Sequence, residues 1–151
     1  MTLPIVPANL EQVRLLEHIK TSGLIAPFVD FLGDQQDAPE TVAGILDLTS
    51  EYVLASKRYV QVRMAGGEQQ TAGDIGYTQR PVQCNIFSTA ATSDSAVTEM
   101  LAKSIEQWLL ANYESESYCI ISIEVQGCNG PYLLEEGRVF FEIPMVVKFA
   151  R

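Results

Sequence analysis

The side chains best suited to catalysis or metal binding are few and scattered in this sequence. Its single histidine, His18, has no clustered cysteines beside it, so a zinc site is not predicted. The aspartates Asp30, Asp34 and Asp37 lack the ligand spacing of a calcium loop, and we predict that they are solvated. No group of residues in this sequence therefore has the pattern of a metal centre.

Catalytic motifs are absent as well. No phosphate-binding glycine motif and no Gly-x-Ser-x-Gly motif occurs, and the glycine-rich residues 65–76, AGGEQQTAGDIG, fit neither. Glu135 and Glu136 are adjacent, and they would need different environments to serve as an acid and a base. The sequence therefore predicts a protein that binds rather than reacts, with no catalytic residue, no metal and no cofactor.

The three cysteines are an odd number without the Cys-x-x-Cys spacing of redox and metal sites. Cys84 and Cys119 fall within strand-like runs, where an unpaired cysteine usually acts as a small core hydrophobe. Cys128 falls in a glycine-rich loop, where we expect it to be exposed. All three are predicted to be free thiols without a redox role.

Length, composition and charge indicate a single globular domain over residues 1–151. The net charge is −9 and 47% of the residues are hydrophobic. An acidic chain binds nucleic acid and anionic membranes poorly, because both depend on lysine and arginine. No apolar run reaches the roughly 20 residues that cross a bilayer, and residues 1–12 lack the pattern of a signal peptide. We therefore predict a cytoplasmic protein without nucleic-acid or membrane partners.

Two segments repeat apolar residues at helical spacing. The first runs from a predicted cap at Asn9 to a stop at Gly23, and His18 lies near the edge of its apolar stripe, where we expect a surface position. The second follows Ser93 or Asp94 as its cap and is the most strongly patterned element. Its apolar stripe, in which the tryptophan is a core anchor, comprises Val97, Met100, Leu101, Ile105, Trp108 and Leu109.

Alternation of apolar and polar residues predicts strands within residues 58–65, 81–88, 118–125 and 138–149. The side chains predicted to face the core are Val60, Val62, Met64, Val82, Cys84 and Ile86, then Cys119, Ile121, Ile123 and Val125, then Val139, Phe141, Ile143, Met145, Val147 and Phe149. Pro144 lacks a backbone donor, so it predicts an edge position or a bulge in the last strand.

Residues 24–57 are rich in proline and glycine and are predicted to be irregular. We expect Phe28, Phe31 and Leu32 to cover the core, followed by a short strand or helical turn near 42–48. The whole order is helix, irregular segment, hairpin, helix and hairpin. That order predicts an α+β fold, in which a mainly antiparallel sheet has helices packed on one face.

A long polar loop is predicted between the first two strands, over residues 66–80. It contains four glycines and no apolar periodicity, and such long loops in compact domains are usually functional or disordered. Tyr77 and Arg80 are residue types that are enriched at interfaces. We therefore interpret the loop as a partner contact that orders on assembly, with a flexible solvent loop as the alternative.

The second predicted contact is the loop of residues 127–138, which precedes the last strand. It combines Tyr132 and Arg138 with Gly127 and Pro131, residues that favour turns. The alternative is a structured hairpin connection that meets no partner.

The order of elements resembles that of the tail terminator (tail completion) proteins of long-tailed bacteriophages. The resemblance covers most of residues 58–151 and, more loosely, 9–20; residues 24–57 are longer and richer in proline and glycine than the family pattern. The segments that carry it are the helix EQVRLLEHI, the strand RYVQVRMAGGEQ, the strand and capped helix VQCNIFSTAATSDSAVTEMLAKSIEQWL, and the hairpin ISIEVQGCNGPYLLEEGRVFFEIPMVVKF.

This resemblance implies a structural subunit without turnover or cofactor. Family members form a homohexameric ring that caps the tail tube, ends its polymerisation and presents a surface for joining to the head. The implied partners are copies of the chain itself, the tail tube protein and a head-completion or connector protein, and the implied location is the virion tail after assembly in the host cytoplasm. The predicted interface residues are Arg58, Arg63, Gly66, Gly67, Gln69, Gln70, Asp74, Tyr77, Arg80, Asn129, Tyr132 and Arg138.

Charge is distributed unevenly along the chain, and this suggests how such a ring would close. Residues 58–93 contain three arginines and two acidic residues, so this stretch is slightly basic between two acidic flanks. Arg58, Arg63 and Arg80 are therefore predicted to face acidic surface on the next subunit in a head-to-tail ring.

Two other functions also fit the sequence. A head–tail connector or neck subunit would share the size and the ring assembly of a tail terminator. A small α+β enzyme or ligand-binding domain would instead have a pocket without a recognisable motif, and would be a monomer or dimer in solution.

Overall fold

A computed structural model describes residues 10–65, 70–71 and 76–150 of the chain. Asn9, the predicted cap of the first helix, lies outside these residues. The elements are α1 (Glu11–Lys20), β1 (Phe28–Val29), β2 (Gln35–Gln36), β3 (Glu40–Ala43), β4 (Tyr59–Met64), β5 (Gln70–Thr71), β6 (Tyr77–Phe87), α2 (Ser95–Ala111), β7 (Ile120–Val125), β8 (Asn129–Leu133) and β9 (Val139–Ala150).

One sheet organises the described part of the chain. Its strands lie in the order β3-β4-β6-β9-β7, with β5 paired to β6 and β8 paired to β9. Every pair is antiparallel except β3 and β4, which are parallel. Residues of α1 and α2 pack with the inward side chains of β4, β6 and β9 in one core. The predicted α+β fold, a mainly antiparallel sheet with helices on one face, is confirmed.

The longest strand, β9, sets the core. Its odd-numbered side chains from Val139 to Phe149 are buried, while the even-numbered ones are half-buried on the opposite face of the sheet. Opposite them, α2 buries Val97, Leu101, Ile105 and Leu109, as its spacing predicts. Among the described residues, no helix covers the opposite face of the sheet, which we call the helix-free face.

Pro144 is not on an edge strand, because β9 lies between β6 and β7. Its carbonyl accepts a hydrogen bond of 2.9 Å from the backbone N–H of Gln126, so its backbone faces the point where β7 has ended and β8 has not begun. Pro81 has the same position in β6, since its carbonyl accepts from Ala65 just after β4 ends. Both prolines fit inside the sheet because the neighbouring ladder is interrupted beside them.

A bulge in β7 overturns two predicted core positions. Ile120 pairs with Phe149 and Ser122 pairs with the adjacent Lys148, so Ile121 is the extra residue and is 44% exposed. Cys119 lies just before the strand, with a φ of 55°, and is exposed as well. The predicted alternation holds only beyond the bulge.

The predicted loop 66–80 is wrong at its end, because Tyr77–Arg80 belong to β6. Tyr77 pairs with Ala150 and Arg80 pairs with Val147, so these residues supply the backbone partners of the last residues of β9. Their polar sequence shows no apolar periodicity, yet the ladder of the neighbouring strand holds them extended.

His18 is buried rather than on the surface, with only 5% of its side chain exposed. Its Nε2 lies 2.8 Å from the carbonyl oxygen of Asn112, which can only accept, so Nε2 carries the hydrogen. The ring centroid is 4.7 Å from that of Trp108, which packs partly buried against the core. His18 therefore connects α1 to the end of α2. Its position near the edge of an apolar stripe in the sequence did not indicate this contact.

Residues 28–36 form a small two-stranded hairpin of β1 and β2, which we call the hairpin. Phe31 and Leu32 do not cover the core as predicted, since they are 60% and 71% exposed. The short strand predicted near 42–48 lies slightly earlier, as β3. The remaining residues of this region cross to β4, because parallel strands need such a connection.

The three cysteines differ in burial, which predicts an order of reactivity. Burial raises the pKa of the Cys84 thiol to about 12 and also raises the pKa of the half-buried Cys128. Because the thiolate is the nucleophile, we expect iodoacetamide at neutral pH to modify Cys119 first, Cys128 more slowly and Cys84 only after unfolding in urea. Mass spectrometry of timed samples measures this order. Modification of Cys84 at the rate of Cys119 in the native protein would contradict it.

Candidate functional site

Arg58 is used inside the chain. Its side chain is 6% exposed and donates from Nε to Asp94 Oδ2 at 2.9 Å and from Nη2 to the other oxygen of the same carboxylate. Nη2 also donates to Gln36 Oε1 at 2.9 Å, and the guanidinium lies 5.6 Å from the ring centroid of Phe28. The predicted contact with a neighbouring subunit is therefore replaced by contacts that fix the hairpin and the start of α2.

Arg138 is also buried, with 2% of its side chain exposed. It donates from Nη1 to the carbonyl oxygens of Lys57 at 2.9 Å and Ser88 at 2.5 Å, and from Nη2 to that of Leu54 at 2.7 Å. Its nearest carboxylate, on Glu136, is 3.7 Å from Nε. Arg138 thus ties the crossover before β4 to the junction of β6 and β9, and it is not offered to a partner.

Arg80 lies on the helix-bearing side of β6. Its Nη1 donates to Glu11 Oε2 of α1 at 3.2 Å, and both side chains are partly buried. Of the three arginines predicted to face a neighbour, Arg58 and Arg80 are paired within the chain. Only Arg63 stays exposed, and it donates from Nε and Nη2 to Gln83 Oε1 at 3.1 and 2.8 Å.

Four of the predicted interface residues do share the helix-free face. Arg63 and Tyr77 point there from β4 and β6, and the Tyr77 ring lies 5.2 Å from Lys148 Nζ. Asn129 is exposed opposite Glu142. Tyr132 is 43% exposed and its ring lies 5.1 Å from that of Phe140. Gly66, Gly67, Gln69 and Asp74, as well as the side chain of Gln70, lie outside the described residues.

A groove of about 320 Å³ lies on this face. Its floor consists of polar side chains from β4, β6 and β9, namely Gln61, Arg63, Gln83, Asn85 and Glu142. Its walls are apolar and come from the crossover, the strand ends and the β8–β9 turn, namely Ile45, Leu46, Leu48, Phe87, Leu134 and Phe140. A polar floor between apolar walls is typical of a surface that binds another molecule.

One atom on the groove floor has an unmet hydrogen bond. Gln61 pairs with Asn85 and Asn85 with Glu142, so three polar residues lie side by side across the sheet. Asn85 Nδ2 donates to Gln61 Oε1 at 3.1 Å, and Gln61 Nε2 donates to the Gly44 carbonyl at 2.6 Å. Asn85 is 4% exposed, yet its Oδ1 is buried without a hydrogen-bond partner. A buried acceptor left unpaired costs about 1–3 kcal/mol, so the fold holds Asn85 in this row at a cost to its stability.

Sequence reasoning missed this groove. The alternation of β4 and β6 does place Gln61 and Asn85 opposite the core side chains, so the polar row was visible as outward positions. The walls were not, because Ile45, Leu46 and Leu48 come from the segment that the sequence left irregular. The row of polar side chains forms the floor of a groove only because the crossover supplies a wall beside it.

Two features are absent from the described part of the chain. Among the described residues, no group of three or more histidine, cysteine, aspartate or glutamate side chains could hold a metal ion. No helix in the described ranges is long and apolar enough to cross a membrane. What the fold and the groove define is an α+β domain with a groove on its helix-free face. A scan against protein-family models and a search of curated proteins found no match to this chain.

Proposed function

We propose that this chain is a structural subunit of a phage or prophage tail that acts as a tail terminator. In this function it forms a ring, caps the tail tube, ends tube polymerisation and presents the surface that joins the head. The role is one of binding without turnover, and its location is the virion tail after assembly in the host cytoplasm.

The observation that carries the proposal is the helix-free face. It carries Arg63, Tyr77, Asn129 and Tyr132 on one side of the sheet, and Arg63 lines a groove with apolar walls there. Exposed apolar residues next to a groove mark interaction sites, and Ile45 on its wall is 93% exposed. The order of helix, strands, helix and strands is also the one that tail terminators share, which supports the same reading.

Two measurements test this function. Light scattering across concentration should show a ring of about 100 kDa, six times the 16.7 kDa subunit. Added to tail tube protein during polymerisation, the chain should stop tube growth. Electron microscopy should then show tubes that no longer lengthen and that carry a cap at one end. A head–tail connector would form a ring and leave tube length unchanged, so that result would move the assignment to the neck.

The groove favours a second candidate, a small-ligand-binding domain. Its volume of about 320 Å³ lies at the lower end of ligand sites, and Asn85 is one of the polar residues that line it. A monomer at every concentration, together with a compound that raises the melting temperature of the wild type and not of Asn85→Leu, would support this function over the ring.

A further inference from the structure

The hairpin displays apolar side chains that the described part of the chain does not cover. Val29, Phe31 and Leu32 are 58%, 60% and 71% exposed, and the last two lie at its tip. Exposure of two adjacent large apolar residues at a narrow turn does not stabilise the free protein. A projecting turn of this kind is typical of an element that inserts into a partner.

This hairpin is held rigidly in spite of its short strands. Asp30 Oδ1 accepts from the backbone N–H groups of Leu32 at 2.8 Å and Asp34 at 3.0 Å, and its Oδ2 accepts from Gln36 Nε2 at 2.8 Å. The hydrogen bond from Asp34 is the main reason why the pKa of the Asp30 carboxyl is lowered. Arg58 then fixes Gln36 and Phe28 to the body of the fold. Such preorganisation reduces the entropy lost on binding.

The groove on the helix-free face has the complementary chemistry. Its walls are six aliphatic and aromatic side chains. Arg63 and Glu142 line it with one charge of each sign, so charge does not select the occupant. The groove therefore suits a mainly apolar segment, which the tip of a peptide turn can supply.

The two surfaces lie on opposite sides of the sheet. The hairpin is next to α2, since Phe28 and Val29 line a small cavity of about 140 Å³ with Met100 and Leu101. The groove lies on the other face. With the hairpin held in this place by Arg58, it cannot enter the groove of its own chain.

We infer that the hairpin of one copy of this chain inserts Phe31 and Leu32 into the groove of the next copy. The inference rests on the proposed function and names the contact that would build its ring. Because two different surfaces meet, the contact is heterologous, and repetition closes a ring if the rotation between copies is suitable. The sequence prediction of a head-to-tail ring is retained, but apolar insertion replaces the arginine–acid pairs as its basis.

Another exposed apolar patch is the obvious competitor. Leu110, Tyr113 and Ile121 lie near the end of α2 and the start of β7 and are each 44% to 56% exposed. They come from a helix, a loop and a bulged strand, so they do not form a projecting element that fits between groove walls. They provide a matched control surface.

The test uses two variants that each remove one side of the contact. Phe31→Asp changes the hairpin tip and Ile45→Asp changes the groove wall, and both positions are exposed, so stability should change by less than about 0.5 kcal/mol. Each variant alone should need at least about tenfold more protein to assemble than the wild type. Leu110→Asp should assemble as the wild type does. Circular dichroism melting confirms that all three variants are folded.

Mixing the two defective variants gives the sharpest result. The intact hairpin of Ile45→Asp can enter the intact groove of Phe31→Asp, so a 1:1 mixture should form a dimer of about 33 kDa and nothing larger. If the mixture stays monomeric, or if Phe31→Asp forms the wild-type ring, the inference is overturned and the proposed ring function stands. If the wild type never assembles and does not cap tubes, both are overturned.

Discussion

Replacing Arg138 with methionine is expected to lower the free energy of unfolding by about 3–5 kcal/mol, because three carbonyl oxygens lose a charged donor and each such hydrogen bond contributes about 1.5–3 kcal/mol. These are the carbonyl oxygens of Leu54, Lys57 and Ser88, which lie in partly or fully buried contacts with Arg138. Methionine can fill much of the volume but cannot donate. Urea unfolding followed by Trp108 fluorescence measures the loss.

Two further variants make this prediction specific. Arg138→Lys keeps the charge but not the planar guanidinium, so the lysine should reach fewer of the three carbonyls. Its free energy of unfolding should therefore lie between those of Arg138→Met and the wild type. Arg63→Met is the matched control, since Arg63 is exposed and its guanidinium donates to the exposed side chain of Gln83. Its stability should stay within about 0.5 kcal/mol of the wild type. A loss below about 1 kcal/mol in Arg138→Met would show that the carbonyls find other donors.

The strongest parts of the fold were predictable because they depend on local periodicity. The unbroken alternation from Val139 to Phe149 identified both the strand β9 and its buried face, and the stripe along α2 identified its core side chains. A helix or strand that packs against a core has apolar residues at regular spacing on its buried face. Such a pattern can be recognised without knowing which elements pack against it.

The predictions failed where a distant partner decides the structure. Tyr77–Arg80 become strand only because β9 extends far enough to pair with them. Ile121 turns outward only because a bulge shifts the register of β7. In both cases the local sequence is compatible with more than one conformation, and the long-range pairing selects one of them.

The candidate site shows the same limit. Arg58 and Arg138 have residue types that are enriched at interfaces, and nothing in their neighbouring sequence shows that Asp94 and three carbonyl groups receive them. Asn85 was visible as an outward position, but its burial depends on the crossover before β4. Residue type indicated which side chains need a hydrogen-bond or ion-pair partner when they are buried. Only the fold shows which groups are those partners.

The ion pair of Arg58 and Asp94 carries the second large prediction. Arg58→Met and Asp94→Asn should each lower the free energy of unfolding by about 3–5 kcal/mol, because each leaves a charge in a site where the side chains are only 6% and 10% exposed. Asparagine keeps the shape and an acceptor for the backbone N–H of Thr89 and the hydroxyl of Thr98. Urea unfolding of both single variants and of the double variant gives the complete cycle.

The double variant should lose less than the sum of the two single losses, with a coupling energy of about 0.5–3 kcal/mol, since it leaves no unpaired charge. The pair of Lys57 and Asp37 is the control, because it spans 3.6 Å at the surface. Asp37→Asn should change stability by less than about 1 kcal/mol. Strict additivity of Arg58→Met and Asp94→Asn would mean that the two residues stabilise the fold independently.

The same variants separate stability from the position of the hairpin. Arg58→Met also removes the hydrogen bond to Gln36 and the contact with Phe28, whereas Asp94→Asn leaves both in place. Hydrogen exchange at the backbone N–H groups of Leu32 and Asp34 should therefore accelerate more in Arg58→Met than in Asp94→Asn at a comparable loss of global stability. Ring assembly should weaken in the same order if the hairpin is the inserted element. Equal exchange in the two variants would show that Asp30 alone holds the hairpin, and that Arg58 serves only the start of α2.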